Sequence, residues 1–308
     1  MILIAGGAGY LGSRLAKKLL EDGHEVRIMD NMSRERYITL WSLDEHEFYE
    51  GDVRDEDDIK TALEDVDTVF CLADVTNAGK SFEREELTRE VNYHGVTQLF
   101  EMAGEAGVDK FIYTSSASLY GNTPGKEDES FDCDPVSPYG KEKLKAEKHI
   151  LANSGEYSMD STALRLGTVY GYSIGMRFDT VINYFTYLAS QGKPLTVHES
   201  ALDEYRPYVH VDDVVRAYQF AYDNTEDMDG DTFNIVGQNM LMDDVLESIK
   251  NVFPGVEIEI VENPTDNKVS YRTDGSAIEE KGFETRYSME HGIKTIKKKF
   301  ENVRSIDR

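Results

Sequence analysis

The first half of the chain alternates short apolar runs with amphipathic stretches. Five runs are strand-like, at residues 2–5, 25–30, 68–72, 110–115 and 161–166. Between them, apolar residues recur every three or four positions at 11–20, 84–106 and 139–153, which is helical spacing. This rhythm predicts an α/β fold, with a Rossmann-type doubly wound parallel sheet and helices on both of its faces.

A glycine-rich turn follows the first predicted strand. Gly6, Gly9 and Gly12 lie between residues 2–5 and the start of the next predicted helix. Glycines at such a turn let the backbone approach a pyrophosphate, which binds at the positive end of the helix. Because glycines also occur in ordinary tight turns, the cluster alone indicates a nucleotide site only weakly.

Acidic residues that follow the next predicted strands support a nucleotide site. Asp30 stands eighteen residues after Gly12, where a carboxylate accepts hydrogen bonds from the adenosine ribose and disfavours a 2′-phosphate. NAD is therefore favoured over NADP, although the nearby Arg34 leaves NADP open. Asp52 could hold the adenine amino group, or it could be a plain turn carboxylate.

The second half of the chain is less regular, with breaks at residues 192–194 and 263–264. We expect residues 1–166 to form an NAD-binding domain to which residues 209–236 return. Residues 167–208 and 237–308 then form a smaller C-terminal α/β domain that binds substrate. A length of 308 residues is compatible with two closely joined domains.

A tyrosine and a lysine lie four residues apart on one predicted helix. Tyr139 and Lys143 share one helical face, although with 18 tyrosines in the chain such a pair also arises by chance. Ser116 ends a predicted strand, at the edge where open parallel sheets bind ligands. The three suit alcohol oxidation: Tyr139 takes the hydroxyl proton as hydride leaves the carbon. Lys143 favours the phenolate and can hold the nicotinamide ribose, while Ser116 orients the hydroxyl.

These residues resemble the extended short-chain dehydrogenase/reductase family, in particular its NAD-dependent nucleotide-sugar epimerases and dehydratases. The likeness runs nearly end to end and is closest to the UDP-glucose/UDP-galactose 4-epimerase type. It rests on the glycine turn, Asp30-Asn31, Asp52-Val53, Leu72-Ala73, Asn92 in Val-Asn-Tyr-His-Gly, the catalytic residues, and the segments 164–171 and 206–213. It implies NAD contacts from Gly6, Gly9, Tyr10, Leu11, Gly12, Asp30, Asn31, Asp52, Val53, Leu72, Ala73, Asn92, Tyr139 and Lys143.

The resemblance also implies how the substrate, a nucleotide-diphosphate sugar, is held. It assigns substrate contacts to Ser116, Thr168, Asn183, Arg206 and Arg272. Arg206 would grip the diphosphate with its two-pronged guanidinium, or else form a salt bridge between domains. Lys268 competes with Arg272 for its role. A seven-stranded sheet, and a homodimer formed through residues 84–106 and 139–153, are also implied.

Two departures from the family pattern bear on the reaction. Dehydratases and decarboxylases carry a carboxylate just after the active-site hydroxyl, whereas this chain reads Ser116-Ala-Ser-Leu119, which favours simple epimerisation. Thr168 stands where the 4-epimerases carry an asparagine, which leaves the sugar and the nucleotide open.

Composition excludes several functions. The 59 acidic and 33 basic residues give a net charge of -26, which repels nucleic acid and anionic membranes. No apolar run approaches the roughly 18–20 residues that a membrane span needs, and the N-terminus lacks a basic leader, so we expect a cytoplasmic protein. Cys71 and Cys133 lie in no metal-binding pattern, which predicts reduced thiols and no metal.

The leading hypothesis is reversible epimerisation at C4 of the sugar through a transient 4-keto sugar. The alternatives within the family are a dehydratase or decarboxylase, and a one-way ketoreductase or dehydrogenase that releases its cofactor after each cycle. A non-enzymatic dinucleotide sensor is disfavoured, because such proteins commonly lack the tyrosine or the lysine and this chain has both.

Overall fold

The computed structural model describes residues 1–262, 269–301 and 303. Its strands are β1 Ile2–Ala5, β2 Val26–Asp30, β3 Glu47–Glu50, β4 Thr68–Cys71, β5 Lys110–Ser116, β6 Lys126–Glu127, β7 Asp160–Leu166, β8 Thr168–Tyr170, β9 Leu195–His198, β10 Tyr205–His210, β11 Thr232–Ile235, β12 Gln238–Leu241, β13 Ile258–Val261 and β14 Arg272–Thr273. Its α-helices are α1 Gly12–Glu21, α2 Tyr37–Trp41, α3 Glu56–Ala62, α4 Glu85–Arg89, α5 Val96–Ala106, α6 Pro138–Asn153, α7 Val181–Ser190, α8 Val211–Asp223, α9 Thr225–Met228, α10 Met242–Val252, α11 Ser276–Glu280 and α12 Met289–Phe300.

A parallel sheet of seven strands forms the centre of the fold. Its strand order is β11-β7-β5-β4-β1-β2-β3, and every neighbouring pair runs parallel. The chain builds outward from β1 to β3, then crosses to β4 on the other side of β1. The predicted doubly wound sheet is confirmed, and ligands bind such sheets beyond the carboxyl ends of the strands, where the order reverses.

Strand β1 shows why both faces of this sheet are covered. Successive residues of a strand point to opposite faces, and all four side chains of β1 are apolar and buried. Ile2 and Ile4 pack in one core with residues of α1 and α8. Leu3 and Ala5 pack in another with residues of α3, α5 and α6. A strand buried on both faces needs helices on both sides, as predicted from the apolar run.

The predicted element ends agree with the observed ones within a residue or so, with one exception. A single helix is predicted over 84–106, but the structure has α4, a π-helical turn at Glu90–Gly95, and then α5. The buried Asn92 lies in this turn, and its side-chain oxygen accepts a hydrogen bond from the Val75 backbone at 2.8 Å. A π-turn inside a helix often marks a functional site.

A smaller α/β region lies beyond the carboxyl ends of the sheet. Strand β10 pairs in parallel with β8 and antiparallel with β12. A third apolar core joins Ile182 of α7, Leu195 of β9, Val245 of α10 and Ile293 of α12. Within the described ranges, no helix is long and apolar enough to cross a membrane. Nor, among those residues, do His, Cys, Asp and Glu side chains form a group of three or more that could hold a metal ion.

Candidate active site

A cleft of about 480 Å³ lies at the carboxyl ends of the central strands. The glycine turn after β1, the ends of β2 and β5, and the segment after β4 all contribute to its walls. The smaller region closes it from the other side. Of the predicted site residues, the cleft wall includes Gly6, Gly9, Tyr10, Leu11, Gly12, Asp30, Asn31, Asp52, Val53, Leu72, Ala73, Ser116, Tyr139, Thr168 and Arg206.

The glycine turn has room for nothing larger than glycine at two of its predicted positions. Gly6 has a positive φ of +82°, and a Cβ there would lie 2.7 Å from the Ala73 backbone nitrogen. A Cβ on Gly12 would lie 2.4 Å from the Gly6 carbonyl oxygen. Helix α1 begins here with no side-chain cap and no acidic residue in its first turn. Its amides and dipole are therefore suited to a pyrophosphate.

Asp30 is positioned to bind the adenosine ribose of a dinucleotide whose pyrophosphate lies at the glycine turn. Its carboxylate accepts hydrogen bonds from the backbone N–H groups of Ala8 at 3.1 Å and Met32 at 3.0 Å. Burial raises the pKa of Asp30, against the effect of these two hydrogen bonds. Further donors, such as ribose hydroxyls, would stabilise the buried anion. The glycine turn and Asp30 together fit the adenosine diphosphate half of NAD.

The adjoining residues show how the adenosine end is shaped. Asp52 accepts hydrogen bonds from the side chains of Asn31 at 2.9 Å and Arg54. The hydrogen bonds from Arg54 lower the pKa of Asp52 to about 2, despite partial burial. Arg34 also lies in the cleft wall, where its guanidinium donates a hydrogen bond to the Thr76 hydroxyl and its charge opposes the rise in the pKa of Asp30.

The catalytic residues meet where β5 ends and α6 begins. Ser137 caps α6 by accepting a hydrogen bond from the Gly140 backbone at 3.1 Å, which fixes the turn that carries Tyr139. Lys143, one turn along α6, is buried, and its ammonium lies 4.5 Å from the centre of the Tyr113 ring. Ser116 is the last residue of β5, and its hydroxyl lies 2.9 Å from that of Ser118 in the same cleft wall as Tyr139.

The Tyr139 hydroxyl donates a hydrogen bond to Asp74 Oδ2 at 3.0 Å. Burial, and then the charge of Asp74, raise the pKa of Tyr139 well above its usual range, while Arg177 and Ser116 act in the opposite direction. The sequence reasoning missed Asp74. Its position directly after Leu72-Ala73, at the end of a central strand, was the available signal.

Asn92 supports the site from behind and does not form part of the cleft wall. It is fully buried, and its amide bonds both the N–H and the carbonyl of Val75. These bonds fix the segment after β4, including Asp74. Its predicted contact with NAD stays a prediction.

The predicted substrate residues separate into two groups. Arg206 is in the cleft wall, packs on the Tyr271 ring at 5.3 Å, and pairs with Glu204 at 2.9 Å. This partner is two residues away in the same segment, so the pair does not bridge domains. Thr168 also faces the cleft.

The other two substrate residues do not reach the cleft wall. Asn183 is fully buried, accepting from the Gly171 N–H at 3.0 Å and donating to the Arg177 carbonyl at 2.9 Å. Arg272 lies in β14 and packs on the Tyr205 ring at 4.8 Å. Both side chains are held by other parts of the chain. Lys268 lies outside the described residues.

A dinucleotide cleft with a tyrosine in its wall and a buried lysine one helical turn further on is typical of α/β enzymes that exchange hydride with alcohols. The chain belongs to the NAD dependent epimerase/dehydratase family, whose model matches residues 2–236. The resemblance inferred from the motifs is thereby confirmed, and the cofactor is NAD.

Three known proteins illustrate what this chain is similar to. A UDP-glucose 4-epimerase of Mycolicibacterium smegmatis is 32% identical over 223 residues, which cover 70% of this chain and 71% of that protein. A dTDP-D-glucose 4,6-dehydratase of Mus musculus is 28% identical, over 100% of this chain and 91% of its own length. The solved UDP-glucose 4-epimerase of Thermotoga maritima with UDP-glucose is 28% identical. That structure superposes with a TM-score of 0.87 over 97% of this chain and 98% of the other.

Proposed function

We propose that this protein is an NAD-dependent epimerase that inverts C4 of a nucleotide-diphosphate sugar through a transient 4-keto sugar. The observation that carries the proposal is that Ser116 and Tyr139 lie together in the cleft wall, with Lys143 buried one helical turn beyond Tyr139 on α6. The cleft would hold NAD, which would supply a reversible hydride acceptor for C4 of the sugar. Every proton movement falls to the side chains of the protein.

The side chains at the site would position the sugar and transfer the proton. Ser116 and Tyr139 would hold the C4 hydroxyl, and Tyr139 would take its proton as the C4 hydrogen leaves. The charge of Lys143 offsets negative charge that develops on the phenol oxygen. The epimer would form when Tyr139 returns the proton to the C4 oxygen and hydride adds to the opposite face of C4, so that no net oxidation or reduction takes place.

Arg206 would hold the diphosphate. Its guanidinium lies in the cleft wall and is oriented by packing on Tyr271. A planar fork of donors matches phosphate oxygens in a two-pronged contact. Its partner Glu204 would have to give way or share the guanidinium. A diphosphate gripped at this point would leave the sugar free to turn between its two hydride-accepting faces.

We also propose the division into an NAD-binding part, 1–166 with 209–236, and a substrate-binding part from the rest. The return of β11 to the central sheet, and the separate pairing of β8, β10 and β12, support this division. A homodimer through residues 84–106 and 139–153 is likewise a proposal, which rests on the resemblance to the family. Light scattering of the purified protein tests it. A cytoplasmic location fits a soluble substrate of this kind.

The decisive experiment offers the protein UDP-, dTDP-, GDP- and CDP-sugars and follows the products by NMR. A C4-inverted sugar without net consumption of NAD supports the epimerase. The full-length likeness to a dehydratase makes a 4-keto-6-deoxy product the second candidate outcome. Either that product, or stoichiometric oxidation or reduction of the cofactor, would replace C4 epimerisation as the function.

A further inference from the structure

A row of polar side chains crosses three neighbouring strands of the central sheet just before their carboxyl ends. Arg165 of β7 is in register with Ser115 of β5 on one side and Asn234 of β11 on the other, and all three are buried. Each is the last residue but one of its strand. Residues in register on parallel strands point to the same face of the sheet. We call Ser115, Arg165 and Asn234 the polar row.

Helix α6 places a carboxylate against this row. Its buried residues Lys143, Ala146, Glu147 and Ile150 recur at helical spacing, and Ala146 and Ile150 pack in the apolar core on that side of the sheet. Glu147 lies one helical turn beyond Lys143 and about two turns beyond Tyr139. Burying a carboxylate is costly unless it is paired and hydrogen-bonded.

The polar row supplies the partners of Glu147. Arg165 Nε lies 3.1 Å from both carboxylate oxygens, and its Nη2 lies 2.5 Å from Oε1. The Ser115 hydroxyl donates a hydrogen bond to Oε2 at 2.5 Å. The side chains of Arg165 and Glu147 are 7% and 2% exposed, so water hardly competes for these contacts. One carboxylate on α6 is therefore bonded to two strands at once.

The far side of the row is held as well. Arg165 Nη1 donates to the Tyr120 hydroxyl at 2.8 Å, and that hydroxyl lies 3.0 Å from Asn234 Oδ1. The Asn234 side-chain amide donates to the Asp274 carbonyl at 2.9 Å, just after β14. The guanidinium is thus fixed between two strands and cannot readily follow a displaced helix.

Stability alone explains this ion pair poorly. Replacing a buried pair by well-packed apolar residues of similar volume is often neutral or stabilising. Apolar packing has no preferred direction, whereas a guanidinium fork on a carboxylate fixes both distance and angle. The contribution specific to Glu147 and Arg165 is a defined position of α6 along and around β5.

We propose that Glu147 and Arg165 are positioning residues for the site where β5 ends and α6 begins. Ser115 directly precedes Ser116, and Glu147 shares a face of α6 with Lys143, so the contact of Ser115 with Glu147 fixes the two carriers of the site relative to each other. A misplacement of about 1 Å can cost about 100-fold in rate. The inference rests on the proposed function, because it concerns the same site.

The test replaces the pair by apolar side chains, Glu147→Leu together with Arg165→Met. The double variant should fold, melt within several degrees of wild type and bind NAD within a few-fold of it. Its kcat, referred to folded protein with NAD bound, should fall at least tenfold, about 100-fold at most. KM should change less than threefold, because Arg206 still holds the diphosphate. A smaller fall in kcat in a folded double variant would overturn the proposal.

A gentler variant decides the question if the double variant does not fold. Ser115→Ala leaves the ion pair intact and removes its hydrogen bond to β5. It should lower kcat about tenfold without a matching change in KM, and Ser115→Thr, which restores a hydroxyl, should recover most of that loss. An unchanged kcat in Ser115→Ala, or a loss that Ser115→Thr does not recover, would then overturn the positioning role.

Arg27→Met is the control for lost stability. Arg27 pairs with Glu47 at 2.8 Å near the amino end of β2, which is the end of the strand away from the cleft. This variant should lower the melting temperature and leave kcat unchanged. A fall in kcat equal to that of the double variant would show that any weakening of the sheet has the same effect, and the assignment to Glu147 and Arg165 would be wrong.

Hydrogen exchange separates this inference from the proposed function. Wild type and the double variant are compared by mass spectrometry with NAD bound and no sugar present. The amides of residues 114–118 and 138–143 should exchange faster in the double variant, because the contact between β5 and α6 is weakened there. Unchanged exchange in both segments would overturn the positioning role. If the wild type converts no nucleotide sugar, the proposed function fails, while this comparison still decides whether the pair fixes the two elements.

Discussion

Replacing Tyr139 by phenylalanine tests the proposed chemistry most directly. The change removes one oxygen, which lies in the cleft wall and donates a hydrogen bond to Asp74 at 3.0 Å. A positioned acid or base contributes about 10²- to 10⁴-fold to a rate, which corresponds to about 3–5 kcal/mol of barrier. We therefore expect kcat to fall by at least two orders of magnitude.

The same variant should change stability modestly and NAD binding little. It leaves Asp74 Oδ2 without its donor, and an unsatisfied buried acceptor costs about 1–3 kcal/mol. The melting temperature should therefore drop by several degrees. The glycine turn and Asp30 are untouched, so calorimetric NAD affinity should stay within a few-fold of wild type.

The assay is NMR detection of the C4-inverted sugar, with calorimetry for NAD and for melting. Tyr184→Phe on the exposed side of α7 is the matched control and should behave as wild type. Turnover within tenfold of wild type in Tyr139→Phe would remove this residue from the mechanism. If Tyr139→Phe neither binds NAD nor melts cooperatively, the substitution has instead prevented the protein from folding.

Three other predictions concern the cofactor, pH and salt. Asp30→Ala should narrow the preference for NAD over NADP in calorimetry, since it removes both a ribose acceptor and the repulsion of a 2′-phosphate; an unchanged ratio would contradict that role. Burial lowers the pKa of His210 to about 4, against 6.5 in the unfolded chain. The unfolded state therefore binds a proton first, and stability that is full above pH 6.5 should fall by roughly 3 kcal/mol toward pH 4 in denaturant titrations. His210→Asn, which can still cap α8, should flatten that decline. Salt should raise the melting temperature as screening shortens from about 30 Å at 0.01 M to about 3 Å at 1 M. The KM for the nucleotide sugar should rise at the same time if Arg206 binds a diphosphate, and a flat melting temperature would refute the repulsion argument.

The local patterns in the sequence were sufficient to predict the fold and the nucleotide-binding half of the cleft. Four-residue apolar runs can be buried on both faces only in a covered parallel sheet. Gly6 and Gly12 follow such a run, and backbone atoms lie where their Cβ atoms would be. These features depend on neighbours in the chain, which is why they could be read without a structure.

Contacts between distant segments could not be read in this way. Asn183 and Arg272 were assigned by position in a motif, yet each is held by partners elsewhere in the chain. Asp74 carries no motif, and Tyr139 lies 65 residues further along. Only the pairing of β4 with β5 and the packing of α6 beside them bring the two groups together.

The sequence by itself therefore determined a doubly wound sheet, a dinucleotide turn and a tyrosine-lysine pair on one helical face. The tertiary structure decided which carboxylate lies beside that tyrosine, and that Arg206 rather than Arg272 is part of the cleft wall. The reason is physical: periodicity and backbone conformation are local properties, while burial, charge and hydrogen-bond direction at a site are set by residues that meet only when the chain is folded.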